Sequence, residues 1–299
     1  MTLDENVQLE VLDWGGNGRA LVLLAGYLTA HAYDEFAPKL TEFAHVYGIT
    51  RRGIGASSHP GHSRYTAKES ADDIVKVLDK LRLAAPVLAG HSFGGQDLTT
   101  VAANHPDHIR GVIYLNSAED ATLNPSDYHA KPPDPKRLPF GMRNSAPADK
   151  SSPAAYRAWQ RRTHGVAFPE SKIRLLYAVN PDGSLGEYQV AKSVRDALFA
   201  GLRSPDYARV RVPVLAFFAI PSEVEDLVAK HQPATPDERV AIEEKRSFDL
   251  AIVKRNIDDL RRGVPNARVI QLPGANFYIF LSNGPELVQE MRSFMASLP

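Results

Sequence analysis

The stretch from Ala85 to Leu98 limits the possible folds of this chain more than any other part of the sequence. A short apolar run, Val87 to Ala89, predicts a buried strand, and residues 96–103 predict a helix. Between them lies Gly90-His91-Ser92-Phe93-Gly94, a G-x-S-x-G motif in the strand–turn–helix context that such a motif requires. We therefore expect Ser92 on a sharp, strained turn at the carboxyl end of the strand. The two motif glycines would permit a close backbone approach that a Cβ would prevent.

Composition limits the class of protein and its partners. The 299 residues favour one large α/β domain with an insertion, and equal numbers of Lys+Arg and Asp+Glu (35 each) leave no net charge. Neither nucleic acid nor an anionic membrane surface is therefore expected as a partner. The absence of cysteine excludes disulfides and thiolate metal sites, and no cofactor or metal is expected. An acidic start and the lack of a long apolar stretch predict a cytoplasmic protein, and the oligomeric state stays open.

Apolar runs and amphipathic stretches alternate along the chain. Strands are predicted at residues 7–12, 20–25, 45–49, 87–89, 111–115, 212–220 and 267–272, and helices at residues 33–43, 66–83, 96–103, 154–162, 190–202, 237–262 and 285–298. Strands that alternate with helices imply right-handed crossovers. The predicted fold class is therefore α/β, with a doubly wound, mostly parallel sheet and helices on both faces.

Residues 118–211 depart from this alternation. They contain many prolines, several aromatic residues and only short helical patches. An insertion of this kind between two buried strands most simply lies over one end of the sheet. We therefore expect residues 1–117 and 212–299 to form the core and residues 118–211 to form a mostly helical cap.

Nearly the whole chain resembles the α/β-hydrolase-fold superfamily. The resemblance rests on the Gly26-Tyr27 loop, the Arg52-Gly53-x-Gly55-x-Ser57 loop, the motif around Ser92 and the run Asn276-x-Tyr278-x-Phe280-Leu281-Ser282-Asn283. It implies a sheet of the α/β-hydrolase type and a nucleophilic Ser92. The backbone amides of Phe93 and Tyr27 are the expected oxyanion donors. The substrate does not follow from the fold.

The base and the acid that would complete a catalytic triad are missing. Where the resemblance places histidine, this chain has Phe277, and no histidine follows His231. Where related chains place aspartate after the 111–115 strand, this chain has Asn116. The remaining acids near these positions are equally well explained as solvated loop residues: Glu119, Asp120 and Glu223. Loss of triad members costs roughly 10⁴–10⁶ in kcat, so a weak hydrolase is expected.

Several other histidines are candidates to replace the missing base. His31 follows the Gly26-Tyr27 loop on the same rim of the sheet as Ser92, but a role in positioning backbone explains it better. His91 is expected to point away from Ser92 Oγ, into the packing beneath the turn. The sequence does not place His129 and His164 within the insertion, and His59 and His62 are predicted at the surface.

Three functions stay open. The first, which we favour, is a serine hydrolase with weakened or rerouted catalysis on a small apolar ester or lactone. The second is a non-hydrolytic enzyme, lyase-like or cyclase-like, that stabilises an enolate-like oxyanion on the same amides. The third is a catalytically silent protein that binds an apolar ligand. In each case the expected partner is a small apolar carbonyl compound, and its pocket is predicted to include Gly26, His31, Tyr156, Trp159 and Tyr278.

Overall fold

A seven-stranded sheet forms the centre of the molecule in the computed structural model, which describes residues 1–4, 7–59, 61 and 65–299. The strands are β1 (Thr2–Asp4), β2 (Val7–Gln8), β3 (Val11–Gly15), β4 (Ala20–Leu24), β5 (His45–Ile49), β6 (Val87–His91), β7 (Gly111–Leu115), β8 (Tyr177–Val179), β9 (Leu185–Tyr188), β10 (Val214–Ile220) and β11 (Arg268–Pro273). The central sheet has the order β11-β10-β7-β6-β4-β5-β3. All neighbours in it are parallel except β3 and β5. The predicted fold class is thereby confirmed.

Helices cover both faces of this sheet. They are α1 (Ala37–Leu40), α2 (Ala67–Lys80), α3 (Phe93–Asn104), α4 (Phe140–Arg143), α5 (Pro153–His164), α6 (Glu170–Leu176), α7 (Lys192–Ala200), α8 (Val224–His231), α9 (Pro236–Gly263), α10 (Ile279–Ser282) and α11 (Gly284–Ser297). One apolar layer packs α11 against the sheet, and the other packs α2, α3 and α9 against the opposite face. Successive strand residues alternate between the two layers, so the strands are buried on both sides, as parallel strands usually are. Within the described residues, no helix combines the length and apolarity needed to cross a membrane.

Two predicted elements near the N-terminus differ from the structure. The edge strand predicted at residues 7–12 is divided into β2, which pairs with β1, and β3, which joins the central sheet. The helix predicted at residues 33–43 is only a 3-10 turn at Ala30–Tyr33 followed by the single turn of α1. Pro38 explains the second difference, because it has no N–H to donate to residue 34 and therefore interrupts a continuous helix through this segment.

The segment between β7 and β10 contains α4, α5, α6 and α7, together with the antiparallel hairpin of β8 and β9. The sequence predicted α5 and α7 but neither the hairpin nor α6, and it also missed α8 and α10. These elements are three to eight residues long, which is too short for a clear hydrophobic period. The division into a core and a cap at residues 118–211 stays a prediction.

The parallel strands bring five loops to one edge of the sheet. Gly26 follows β4, Ser92 follows β6, Asn116 follows β7, Ser222 follows β10 and Phe277 follows β11. In open α/β sheets, the carboxyl edge of the parallel strands is where ligands usually bind. The candidate site is therefore at this edge.

Candidate active site

Ser92 occupies the strained turn that the motif predicts. Its φ of 54° and ψ of −129° are unusual for a residue with a side chain, and it joins β6 directly to α3. A Cβ on Gly94 would lie 2.5 Å from the carbonyl oxygen of Leu24, and one on Gly90 would lie 2.8 Å from Gly94. Both contacts are too short for any side chain. The two glycines therefore permit the turn that presents Ser92.

The Gly26-Tyr27 loop packs against this turn. Gly26 has a φ of +62°, and a Cβ on it would lie 2.6 Å from the carbonyl oxygen of His91 and 2.8 Å from the amide nitrogen of Phe93. The loop backbone therefore lies directly against the first turn of α3, where unpaired N–H groups and the helix dipole favour negative charge. The roles of the Tyr27 and Phe93 amides as oxyanion donors stay a prediction.

Asn116 and His91 hold the backbone of Phe277 in place. The carbonyl oxygen of Phe277 accepts from His91 Nε2 at 3.1 Å and from Asn116 Nδ2 at 3.3 Å. Asn116 Oδ1 in turn accepts from the amide of Ala219 at 2.9 Å. The Asn116 side chain thus needs both a donor and an acceptor, and an ionised aspartate has no donor. This requirement gives a structural reason for asparagine at the position where related chains place the acid.

His91 is a buried, neutral residue in this arrangement. Burial lowers the pKa of His91 to about 4, and the hydrogen bond to Phe277 offsets this only in part. Its ring lies 4.6 Å from the Phe277 ring and 5.3 Å from the Phe280 ring, measured between centroids. Nδ1 is buried and finds no hydrogen-bond partner within the described part of the chain. His91 therefore anchors the loop that would normally carry the catalytic histidine.

No described imidazole forms a hydrogen bond with Ser92 Oγ. His31 pairs instead with Asp34 at 3.0 Å and with Glu10 at 3.5 Å. His164 packs edge-on against Trp159, with ring centroids 5.0 Å apart. His59 and His129 are exposed, and His62 lies outside the described residues.

The three loop acids differ in their surroundings. Asp120 accepts from the hydroxyl of Ser204 at 2.5 Å, and Glu223 pairs with Arg246 at 2.5 Å. Glu119 has no such partner among the described residues, and burial raises the pKa of its carboxyl. The sequence does not distinguish the three acids, because nothing in it indicates that Glu119 becomes buried.

Aromatic side chains surround the turn. The ring centroid of Phe199 lies 5.1 Å from that of Phe93 and 6.2 Å from that of Tyr27, and 54% of Phe199 is exposed. Tyr27 also stacks on Tyr188 of the hairpin. The sequence missed Phe199 and Tyr188, since it predicted no hairpin and gave no orientation for α7. The insertion therefore contributes apolar surface next to the turn.

The predicted pocket residues of the insertion and of the last loop each pack against aromatic neighbours. Tyr156 stacks on Trp159 at 5.1 Å between ring centroids, and its hydroxyl lies 3.2 Å from that of Tyr177. Tyr278 packs against His91 at 5.2 Å and against Phe168 at 4.5 Å. Their part in binding a substrate stays a prediction.

Comparisons with known proteins point to one family. The family described as alpha/beta hydrolase fold matches residues 19–283. A Caulobacter vibrioides protein, provisionally named as the carbamate hydrolase RutD, is 36% identical over 102 residues, which are 33% of this chain and 38% of that protein. The 2-(acetamidomethylene)succinate hydrolase of Mesorhizobium japonicum is 28% identical over 102 residues, which are 34% of this chain and 36% of that enzyme. The matched stretches thus span less than half the length of these curated relatives.

Solved structures of other proteins superimpose on almost the entire length of this chain. The crystal structure of E-2-(acetamidomethylene)succinate hydrolase superimposes with a TM-score of 0.66 at 21% identity and covers 98% of this chain and 97% of that chain. The enol-lactonase from Burkholderia xenovorans LB400 gives a TM-score of 0.62 at 16% identity and covers 99% of both chains. Likeness at these identities concerns the fold alone. Together with the family match across most of its length, it shows that the chain belongs to the alpha/beta hydrolase fold family.

Proposed function

We propose that this protein is a hydrolase in which Ser92 attacks a small apolar ester or lactone, with catalysis weakened because Phe277 stands where the histidine belongs. The observation that carries the proposal is the backbone of Ser92, at φ 54° between β6 and α3. Strain of this kind is retained where it presents a reactive group. The hydrolase names of the relatives support the reaction class. The cytoplasmic location expected from the sequence stays a prediction.

The proposed chemistry begins at the carbonyl carbon of the substrate. Ser92 Oγ forms a bond to this carbon, and the amides of Phe93 and Tyr27 stabilise the resulting oxyanion. Collapse of the intermediate expels the alkoxide or phenolate and leaves an acyl group on Ser92. Water then releases the carboxylate and regenerates the serine.

Among the described residues, the proton of the Ser92 hydroxyl has no acceptor in this scheme. His91 donates through Nε2 to Phe277, and His31 is paired with two carboxylates. The proton therefore goes to solvent, which is a poor acceptor at neutral pH. Oxyanion donors and binding alone retain about 10³–10⁴ over the uncatalysed rate. Substrates with good leaving groups, such as p-nitrophenyl esters, are expected to react best.

The test is the hydrolysis of p-nitrophenyl acetate by the wild-type chain, by Ser92→Ala and by the exposed control Ser204→Ala. We expect slow turnover that rises with hydroxide concentration and shows no inflection between pH 6 and 7. Mass spectrometry is expected to detect an acetyl group on Ser92. Both the turnover and the acetyl group should be lost in Ser92→Ala but not in Ser204→Ala. Equal rates in Ser92→Ala and the wild type would overturn the proposal. An inflection near pH 6.5 would instead show that a histidine serves as the base.

A second candidate function is the binding of an apolar ligand, with or without non-hydrolytic chemistry. This function is favoured by two exposed aromatic rings, those of Phe199 (54% exposed) and Phe277 (45% exposed). They lie next to a serine for which the described residues provide no base. Tight binding of an apolar ketone, without acylation of Ser92 by any activated ester, would support this function over hydrolysis.

A further inference from the structure

A cavity of about 710 Å³ lies beside the candidate active site. It is lined by the insertion, by α8 and α9, and by the loops that follow β7, β10 and β11. Asn116 and Phe277 line it, whereas Ser92 does not. Its volume is in the usual range for small-molecule sites. The chain therefore has a cavity on the side of Phe277 whose lining does not include Ser92.

The buried wall of this cavity contains a polar atom that lacks a partner. Asn256 of α9 is only 6% exposed, and its Oδ1 makes no hydrogen bond with the described residues. Glu119, on the same lining, also lacks a hydrogen-bond or ion-pair partner there. A buried acceptor without a donor is costly to a fold, and the exceptions call for an explanation. A hydroxyl group on a ligand would satisfy Asn256.

Three basic side chains, Lys230, His164 and His231, lie on the lining of the cavity, which also contains the ion pair of Lys245 and Asp249. Lys230, at the end of α8, has no carboxylate within 4 Å among the described residues, whereas Lys245, on the same lining, pairs with Asp249 at 2.6 Å. Its Nζ lies against Gly165, 3.3 Å from where a Cβ would be. His164 and His231 line the cavity next to it. Burial and these neighbouring basic groups lower the pKa of His231 to about 4, and burial also lowers the pKa of Lys230. The cluster therefore lacks an anion.

The rest of the lining is largely apolar, with Val166, Phe218, Leu227, Ile242, Ile252 and Val253. These side chains join the basic cluster to the Asn256 side. An apolar body of modest size would fill this space and bury its surface. Such pockets, with apolar walls and a few polar groups, are typical of small-molecule sites.

We propose that this cavity binds an apolar hydroxycarboxylic acid, with its carboxylate on Lys230 and its hydroxyl donating to Asn256 Oδ1. The carboxylate pairs with Lys230, the apolar body lies along α9, and the hydroxyl satisfies the buried acceptor. Opening a lactone yields a compound of this chemistry, but binding in this cavity does not require turnover at Ser92.

The test is isothermal titration calorimetry at pH 7 with three matched probes. They are 3-(4-hydroxyphenyl)propionate, its primary amide, which lacks the charge, and 3-phenylpropionate, which lacks the hydroxyl. Both Ser92→Ala and the wild-type chain are titrated, so the result does not depend on the proposed hydrolysis. We expect the hydroxy acid to bind at least about tenfold more tightly than either analogue, in both chains.

Two variants test which residue binds the carboxylate and which binds the hydroxyl. Lys230→Gln is expected to weaken the hydroxy acid about tenfold and to leave the amide unchanged, and Lys254→Gln, which removes an exposed charge of α9 outside the cavity, serves as its control. Asn256→Leu, which keeps the branched shape of the side chain but has no acceptor, is expected to remove the difference between the two acids while keeping the melting temperature. Equal binding of the three probes, no binding of any, or equal losses in Lys230→Gln and Lys254→Gln would overturn the proposal.

Discussion

Asn116 shows how one residue can serve the fold at a position associated with catalysis. Its amide joins the end of β7 to Ala219 on β10 and to Phe277 after β11. Its φ of 54° also suits asparagine, which tolerates left-handed backbone better than most residues. Asparagine at residue 116 is therefore linked through a hydrogen bond to the backbone of the loop that carries Phe277.

Asn116→Asp tests this link. The carboxylate would lose the hydrogen bond to the Phe277 carbonyl and would face that oxygen with like charge, so we expect the free energy of unfolding at pH 7 to fall by about 1–3 kcal/mol. Urea denaturation measures this loss, with the exposed Asn266→Asp as a control. In a Phe277→His background an imidazolium could pair with the new carboxylate, so the loss should be smaller there and esterase activity higher. Equal losses in both backgrounds would contradict the link.

At the scale of elements, α6 anchors the insertion to the core through a buried lysine. Lys172 is fully buried, and its Nζ donates to Thr29 Oγ1 at 3.3 Å. Glu10, which accepts from the hydroxyl of Thr50, is the nearby acid. Burial lowers the pKa of Lys172 to about 7, and Glu10 offsets this only in part. No carboxylate of the described residues pairs directly with Lys172, and burial of an unpaired charge destabilises the fold.

Lys172→Met removes this cost. Between pH 10.5 and 7, Lys172 is protonated in the unfolded chain but largely unprotonated in the folded chain. The free energy of unfolding of the wild type therefore falls as the pH decreases through this window. The variant lacks this term, so its stability advantage should grow as the pH falls from 10.5 to 7, by up to about 5 kcal/mol. Denaturation at several pH values measures it, with the exposed Lys192→Met as control. A constant difference would show that Lys172 does not titrate in this range.

The elements that the sequence predicted are those with long or strongly apolar patterns. The buried strands β4, β5, β7 and the helices α2, α9 and α11 lie within about three residues of their predicted bounds. Ser92 followed from a local motif. The partners of Asn116, the cavity along α9 and the burial of Glu119 depend on contacts between residues about 100 or more positions apart. No local pattern encodes such contacts.

For the molecule as a whole, His91 joins the centre of the sheet to the chain's last loop. It is the final residue of β6, in the middle of the sheet order, and it binds the carbonyl of Phe277 after the edge strand β11. Its ring is also in contact with three aromatic residues of that loop. Protonation of His91 would place a charge where burial is almost complete.

Acid stability should therefore depend on this residue. The pKa of His91 is about 4 in the folded chain and near 6.5 when unfolded, so between these values the unfolded chain binds the extra proton. The free energy of unfolding should fall by up to about 3 kcal/mol as the pH decreases from 6.5 to 4. His91→Gln retains a donor for the Phe277 carbonyl but does not titrate, so its stability should fall less over this range. His45→Gln, at a more exposed position on β5, is the matched control and should follow the wild type. Parallel curves for all three proteins would show that His91 is protonated in the fold without penalty, and would remove the reason to regard it as the buried link between the sheet and the last loop.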